Sequence, residues 1–217
     1  MSAVVCILNP VSSTLEASMF PLRHLLYSVL LIASFDSSGN GLASTVVDSE
    51  KKGDSVFLVA TEQLNGTAFE QTVILLTHYS QRGATGLTIN RPAGISLRKA
   101  FPGIRQLQKR NDPLYLGGPV STNAIFVLLR TDRPSRRMHR ISEDIYFATG
   151  KHAFAPSSNA RETRAYAGYA GWAPGQLKNE ISRGDWLMVH TDADIIFEEA
   201  PKSLWQRLLK RWKGKWI

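Results

Sequence analysis

The chain contains one cysteine, Cys6, close to its N-terminus. A disulfide within the chain and a cysteine-rich metal site are therefore excluded. Histidine is also scarce. His78, His139, His152 and His190 include no pair at i, i+4 and no carboxylate at ligand spacing, so no metal set is expected. There is no Gly-x-Ser-x-Gly elbow to present a serine nucleophile. The phosphate-cradling patterns, a Walker loop or Gly-x-Gly-x-x-Gly after a strand, are missing too. No apolar run reaches the roughly 20 residues that a membrane-spanning helix needs. These absences leave no catalytic residue to name and no cofactor to expect.

What remains is an ordinary globular composition, 43% apolar and 20% charged, in 217 residues, enough for one domain with a substantial core. Acid is the minority charge: 18 Asp plus Glu against 26 Lys plus Arg give +8, which favours anionic partners and says little about fold.

The N-terminal segment has the parts of a secretory signal. Arg23 and His24 precede an apolar run from Leu25 to Phe35, a polar stretch covers Asp36 to Asn40, and Gly41-Leu42-Ala43 supplies small residues for cleavage after Ala43. The organisation expected is an upstream extension at 1–18, a signal segment at 19–43 and a linker at 44–54. A domain at 55–201 and a basic amphipathic helix at 202–217 complete it. Export to the periplasm is the expectation; the alternative is the cytoplasm, with the apolar run packed on the domain.

Strands are expected at Val56–Ala60, Thr72–Thr77, Thr85–Ile89, Pro113–Leu116, Ile125–Leu129, Asp144–Ala148, Arg164–Ala170 and Asp185–His190. Asn65-Gly66 marks a turn, and Gln81-Arg82-Gly83 joins the second and third strands as a hairpin. Ser96 can cap a short helix, Leu97–Phe101, that Pro102 ends. A second helix spans Pro174–Ile181 with proline in its first turn. Connections are short and helices few, which argues for a compact single α+β domain with a mostly antiparallel sheet. No internal repeat or second-domain boundary is visible.

Three glycine-containing segments stand out. In the first, Gly83 serves a turn, Gly86 allows close backbone approach, and Asn90-Arg91-Pro92 ends a strand. The second, Gly117-Gly118-Pro119-Val120, is a tight bend expected to expose backbone N–H groups. The third is Gly168-Tyr169-Ala170-Gly171-Trp172-Ala173-Pro174-Gly175-Gln176-Leu177, with a helix beginning near Gly175 whose unpaired donors suit an anion. Together they suggest a cleft lined by Asn90, Arg91, Gly117, Gly118, Trp172, Gly175 and Gln176. The competing reading is structural: glycines for turns, aromatics for core and Gln176 for a cap.

In this order the segments resemble the YqgE/AlgH family of bacterial proteins. The resemblance rests on Phe57-Leu58-Val59-Ala60 with Phe69 and Thr72-Val73, on Gly83, Gly86 and Asn90-Arg91-Pro92, and on Gly117-Gly118-Pro119-Val120. It rests most heavily on the third segment with Glu180 and Trp186, and it covers about Gly53 to Trp205. The family implies a compact α+β fold of its own type and no established activity. It carries an association with transcriptional regulation, and its members are usually taken to be cytosolic. The signal-like segment departs from that pattern and counts against a direct role on DNA.

Two basic regions lie outside the matching segments. Arg130, Arg133, Arg136, Arg137 and Arg140 read as a solvated loop. Residues 203–217 place Leu204, Trp205, Leu208, Leu209 and Trp212 on one helical face, with Arg207, Lys210, Arg211 and Lys213 elsewhere. Leu204, Trp205 and Leu208 are expected to dock, and Trp212 to Ile217 to stay free. That pattern suits an anionic membrane surface or an acidic partner; nucleic acid is disfavoured for an exported protein. The function expected is a non-enzymatic binding or regulatory module with a glycine-lined cleft. The alternatives are an enzyme acting on a small anionic ligand, or a transcription-related regulator by family association.

Overall fold

The computed structural model describes residues 54–150, 154, 160–198 and 201–213. The chain separates into units at 1–42 and 43–217, and every described residue belongs to the second. The signal segment, the linker up to Gly53, His152 and Gly214 to Ile217 lie outside the described residues.

The apolar runs form strands. They are β1 (Asp54–Ala60), β2 (Val73–Ser80), β3 (Gly83–Thr88), β4 (Pro92–Ser96), β5 (Pro113–Leu116), β6 (Val120–Arg130), β7 (His139–Arg140), β8 (Ile145–Thr149), β9 (Glu162–Trp172) and β10 (Trp186–Asp192). They build one sheet in the order β10-β1-β2-β3-β9-β6-β8-β7, while β4 pairs with β5 and β5 with β9. All pairings are antiparallel except β5–β9. The compact α+β fold with a mostly antiparallel sheet is thus as the sequence indicates. The β2–β3 hairpin turns at the expected place, with Ser80 opposite Gly83.

β1 shows why its run is continuous and not alternating: both of its faces are covered. Phe57 and Val59 join a core with Val73, Leu75, Leu87, Tyr166, Ile196, Leu204 and Leu208. Val56, Leu58 and Ala60 join a second with Ile74, Ala170, Trp172, Leu177 and Trp186. A third core, around Leu97, Leu107, Leu114, Val127, Leu129 and Ala165, lies beyond β9.

The helices are α1 (Leu97–Ala100), α2 (Gln176–Ser182) and α3 (Pro201–Lys213). In α3 the apolar face docks as expected, with Leu204 and Leu208 buried and Trp205 donating from Nε1 to the Ala60 carbonyl at 2.7 Å. Leu209 is buried too, and Trp212 is half-buried, so docking runs further along the helix than expected.

Several local expectations are corrected. Ser96 occupies the N-cap position of α1, yet its hydroxyl makes no capping bond and is buried without a partner. β3 does end before Asn90-Arg91, as expected, but Pro92 opens a further strand, β4, which pairs with β5. Pro174 is not inside α2. The helix starts at Gln176 behind Gly175, whose φ of +75° would strain any other residue. The arginine segment is not all loop: Arg130 ends β6 and Arg140 lies in β7. Arg130 is an ion-pair hub, bridging Glu162 at 2.7 Å and also pairing with Asp144 and Asp194.

Candidate functional site

β9 is the strand on which the three glycine segments meet. One edge pairs with β6 along most of its length. The opposite edge is shared: Ala165–Ala167 pair in parallel with β5, and Ala170–Trp172 pair antiparallel with β3. The handover between the two partners occurs at Gly168, with φ of +70°. Gly117 bridges it, its N–H donating to the Ala167 carbonyl at 2.8 Å and its carbonyl accepting from Thr88 N–H at 2.8 Å.

The bend at Gly117-Gly118 therefore does not offer the Gly117 N–H to solvent, which corrects the expectation. A methyl on Gly118 would lie 2.2 Å from the Tyr169 carbonyl carbon and 2.4 Å from the Ala170 nitrogen. One on Gly117 would lie 2.2 Å from the Gly168 carbonyl oxygen. The space beside both glycines is filled by the backbone of β9. Beside Gly175, by contrast, there is open space.

Two polar members of the expected cleft, Asn90 and Arg91, grip one loop, Asn65–Thr72. Asn90 is 6% exposed; its Oδ1 accepts from Val73 N–H at 2.9 Å and its Nδ2 donates to the Gln71 carbonyl at 2.9 Å. That grip helps hold Gln71 at φ of +54°, a left-handed conformation few non-glycine residues adopt. Arg91 donates from its two terminal nitrogens to the Ala68 and Glu70 carbonyls. Burial pulls the Arg91 guanidinium below the usual arginine value and the Glu70 carboxylate opposes this, so the group stays a cation at neutral pH.

Between those two carbonyls stands Phe69. Its ring lies 6.4 Å from Trp172 in a stacked arrangement and 5.5 Å from Trp186 edge-on, distances typical of favourable aromatic pairs. The indoles of Trp172 and Trp186 both donate to Glu180 Oε2, at 2.8 and 2.9 Å. Gln176 donates to Glu180 Oε1 at 2.8 Å, and its Oε1 accepts from Ala173 N–H at 3.0 Å. A single carboxylate thus ties β9, β10 and α2 together, and Arg91 and Asn90 lay the loop over it.

The structure thus ties Asn90 and Arg91 to the loop that carries Phe69, and Trp172 and Gln176 to Glu180, while Gly117 and Gly118 lie inside the β9 seam and Gly175 is exposed. The sequence reading left Phe69, Glu180 and Trp186 out of the cleft. Their spacing carries no signal, because indoles 14 positions apart meet one carboxylate only through the β1–β10 pairing and the position of α2. Among the described residues no group of three or more His, Cys, Asp or Glu is placed to hold a metal, and no helix is long and apolar enough to cross a membrane.

Concavities among the described residues include two away from this frame. An apolar groove of about 420 Å³ is lined by Thr61, Glu62, Gln63, Gly184, Leu187, Leu209 and Trp212. A polar cavity of about 250 Å³ lies between β5, the start of β9 and Phe197.

A family model described as AlgH-like matches residues 57–217. A UPF0301 protein of Methylococcus capsulatus is 38% identical over 161 residues, 71% of this chain and 88% of its own length. One from Coxiella burnetii is 35% identical over 158 residues, 70% of this chain and 84% of its own. The solution structure of the AlgH protein from Pseudomonas aeruginosa superimposes with a TM-score of 0.60 at 28% identity, covering 72% of this chain and 87% of that one. A crystal structure of a protein from Corynebacterium diphtheriae shares the fold at a TM-score of 0.54 and 21% identity, over 65% of this chain and 77% of that one.

Proposed function

Since the chain belongs to the AlgH-like family, in which no activity is established, we propose that it acts by binding and not by turnover. The surface we assign to recognition is the one that Phe69 organises: the loop 65–72 together with the bend from Trp172 to Gln176. One observation carries this reading. Asn90, Arg91, Trp172 and Gln176 all direct their polar groups to the chain itself, so they fix the shape of that surface and leave no activated group on it. A surface ordered before contact does not lose that conformational entropy on binding, which favours recognition. Asn65, Gly66, Thr67, Ala68 and Gln71 are exposed on the loop, and Ala173, Pro174 and Gly175 on the bend.

The test separates binding from catalysis. The purified protein is incubated with a mixture of bacterial metabolites and followed by nuclear magnetic resonance. The binding reading expects a component recovered unchanged while amide signals of residues 65–73 and 172–180 shift. Conversion of any component that disappears in Arg91→Ala overturns it. We further propose export of the chain with cleavage after Ala43. Mass spectrometry of the mature protein should then find Ser44 as the first residue, and a cytoplasmic chain keeping residues 19–43 removes that proposal.

A further inference from the structure

Arg164 lies half-buried on β9 and is the exception among the arginines around it. Its two terminal nitrogens donate to the carbonyls of Ile196 and Glu198, and its guanidinium carbon sits 4.5 Å from the centre of the Tyr115 ring. No carboxylate among the described residues pairs with it. The nearby carboxylates already have partners: Glu162 pairs with Arg130, Asp112 with Arg110, and Glu198 with Arg207. A partly buried cation without a counter-ion is costly, and an anion from solution relieves that cost.

The space for such an anion exists. The polar cavity of about 250 Å³ is lined by Arg164 together with Arg110, Arg161, Tyr115, Thr163 and the paired acids Asp112 and Glu162. One wall continues into a segment, 98–110, that carries Arg98, Lys99, Arg105, Lys109 and Arg110 and no acid. Arg98 is held beside Arg110 by a backbone hydrogen bond of 3.2 Å. Next to the cavity the rings of Tyr115 and Tyr166 lie 5.6 Å apart. The Tyr166 hydroxyl is fully buried and has no hydrogen-bond partner among the described residues.

We propose that this cavity is a binding site for a small anion of the phosphate or carboxylate class, with Arg164 as its principal charge partner and Arg110 and Arg161 closing the mouth. The N–H groups of these guanidiniums that are not already engaged can donate to an oxyanion, and the surrounding basic segment raises its local concentration. This site is separate from the Phe69 surface, so either proposal can fail without the other.

Amide spectra of the purified protein are recorded at constant ionic strength with inorganic phosphate, with succinate, and with chloride as the control. Saturable shifts at Tyr115, Thr163 and Arg164 in phosphate or succinate, and none in chloride, support the site; the stronger response identifies the preferred oxyanion. Because Arg164 also ties down two carbonyls, its loss can unfold the region. The double variant Arg110→Gln, Arg161→Gln is therefore the decisive one, expected to weaken binding by about tenfold or more while the spectrum elsewhere stays native. Shifts that grow linearly and spread over all surface cations, or an affinity unchanged in the double variant, overturn the proposal.

Discussion

Replacement of Glu180 by alanine tests whether one carboxylate holds three elements together. The wild-type side chain accepts three hydrogen bonds, from Trp172 Nε1, Trp186 Nε1 and Gln176 Nε2. Trp172 is 6% exposed and Trp186 2%, so two indole donors lose their acceptor where water cannot replace it. Leaving a buried donor unsatisfied costs about 1–3 kcal/mol each, which sets the loss at about 3–5 kcal/mol once part of the cost is relieved by relaxation. Glu180→Gln keeps one acceptor oxygen aimed at the indoles and should lose only about 1–2 kcal/mol. Trp186→Phe removes one donor and keeps the aromatic contact with Phe69. The double variant with Glu180→Ala should therefore cost less than the sum of the singles by about 1 kcal/mol or more. Urea unfolding read by tryptophan emission gives each value, provided the slope against denaturant is unchanged. A loss below about 1 kcal/mol for Glu180→Ala, or additivity within about 0.5 kcal/mol, refutes the idea that this carboxylate is the hub.

Other expectations can be checked on the same protein. Gly118→Ala forces a methyl into the Tyr169 and Ala170 backbone and should cost more than about 3 kcal/mol or prevent folding. Gly150→Ala shares a positive φ, of +67°, but meets nothing within 4 Å and should cost about 1–2 kcal/mol in thermal unfolding. Leu208→Ala in α3 should lose about 2–5 kcal/mol, whereas exposed Lys210→Gln should stay within about 0.5 kcal/mol. Burial raises the Tyr115 and Tyr166 phenols above their ordinary value, Arg164 opposing in each case. Below about pH 10 both phenols are neutral folded or unfolded, so their contribution is constant; above it the unfolded chain ionises first and stability falls. Absorbance at alkaline pH should show these tyrosines ionising late, and Tyr166→Phe should flatten the alkaline decline; an unchanged decline contradicts the assignment.

The strands were legible because their apolar runs are long and bounded by turn residues. β4 was not, since Pro92-Ala93-Gly94-Ile95-Ser96 has no β-rich pattern and exists only because β5 lies beside it. Ser96 satisfies the cap rule by position while its hydroxyl makes no bond, a distinction that composition cannot express. For the site, Asn90, Arg91, Trp172 and Gln176 stood out through their neighbours, but what they grip is set by how the β2–β3 hairpin and the β9–α2 turn fold back. Asn90 and Arg91 bond to groups 17 to 23 residues earlier, and Trp172 bonds to Glu180 eight residues on. The glycines illustrate the limit most clearly. Their requirement for small size was visible; whether a ligand or the chain's own backbone fills the space beside Gly118 was not.

The place of β9 has a consequence for the order of events during synthesis. The edges of β3, β5 and β6 have no final partner until residues 162–172 have left the ribosome, and β1 waits for β10. Most of the nascent domain therefore emerges with strand edges open, a state in which chains aggregate or engage chaperones. Any truncation upstream of Trp172 should remain in that state, so residues 162–192 decide whether the strands before them can complete the sheet.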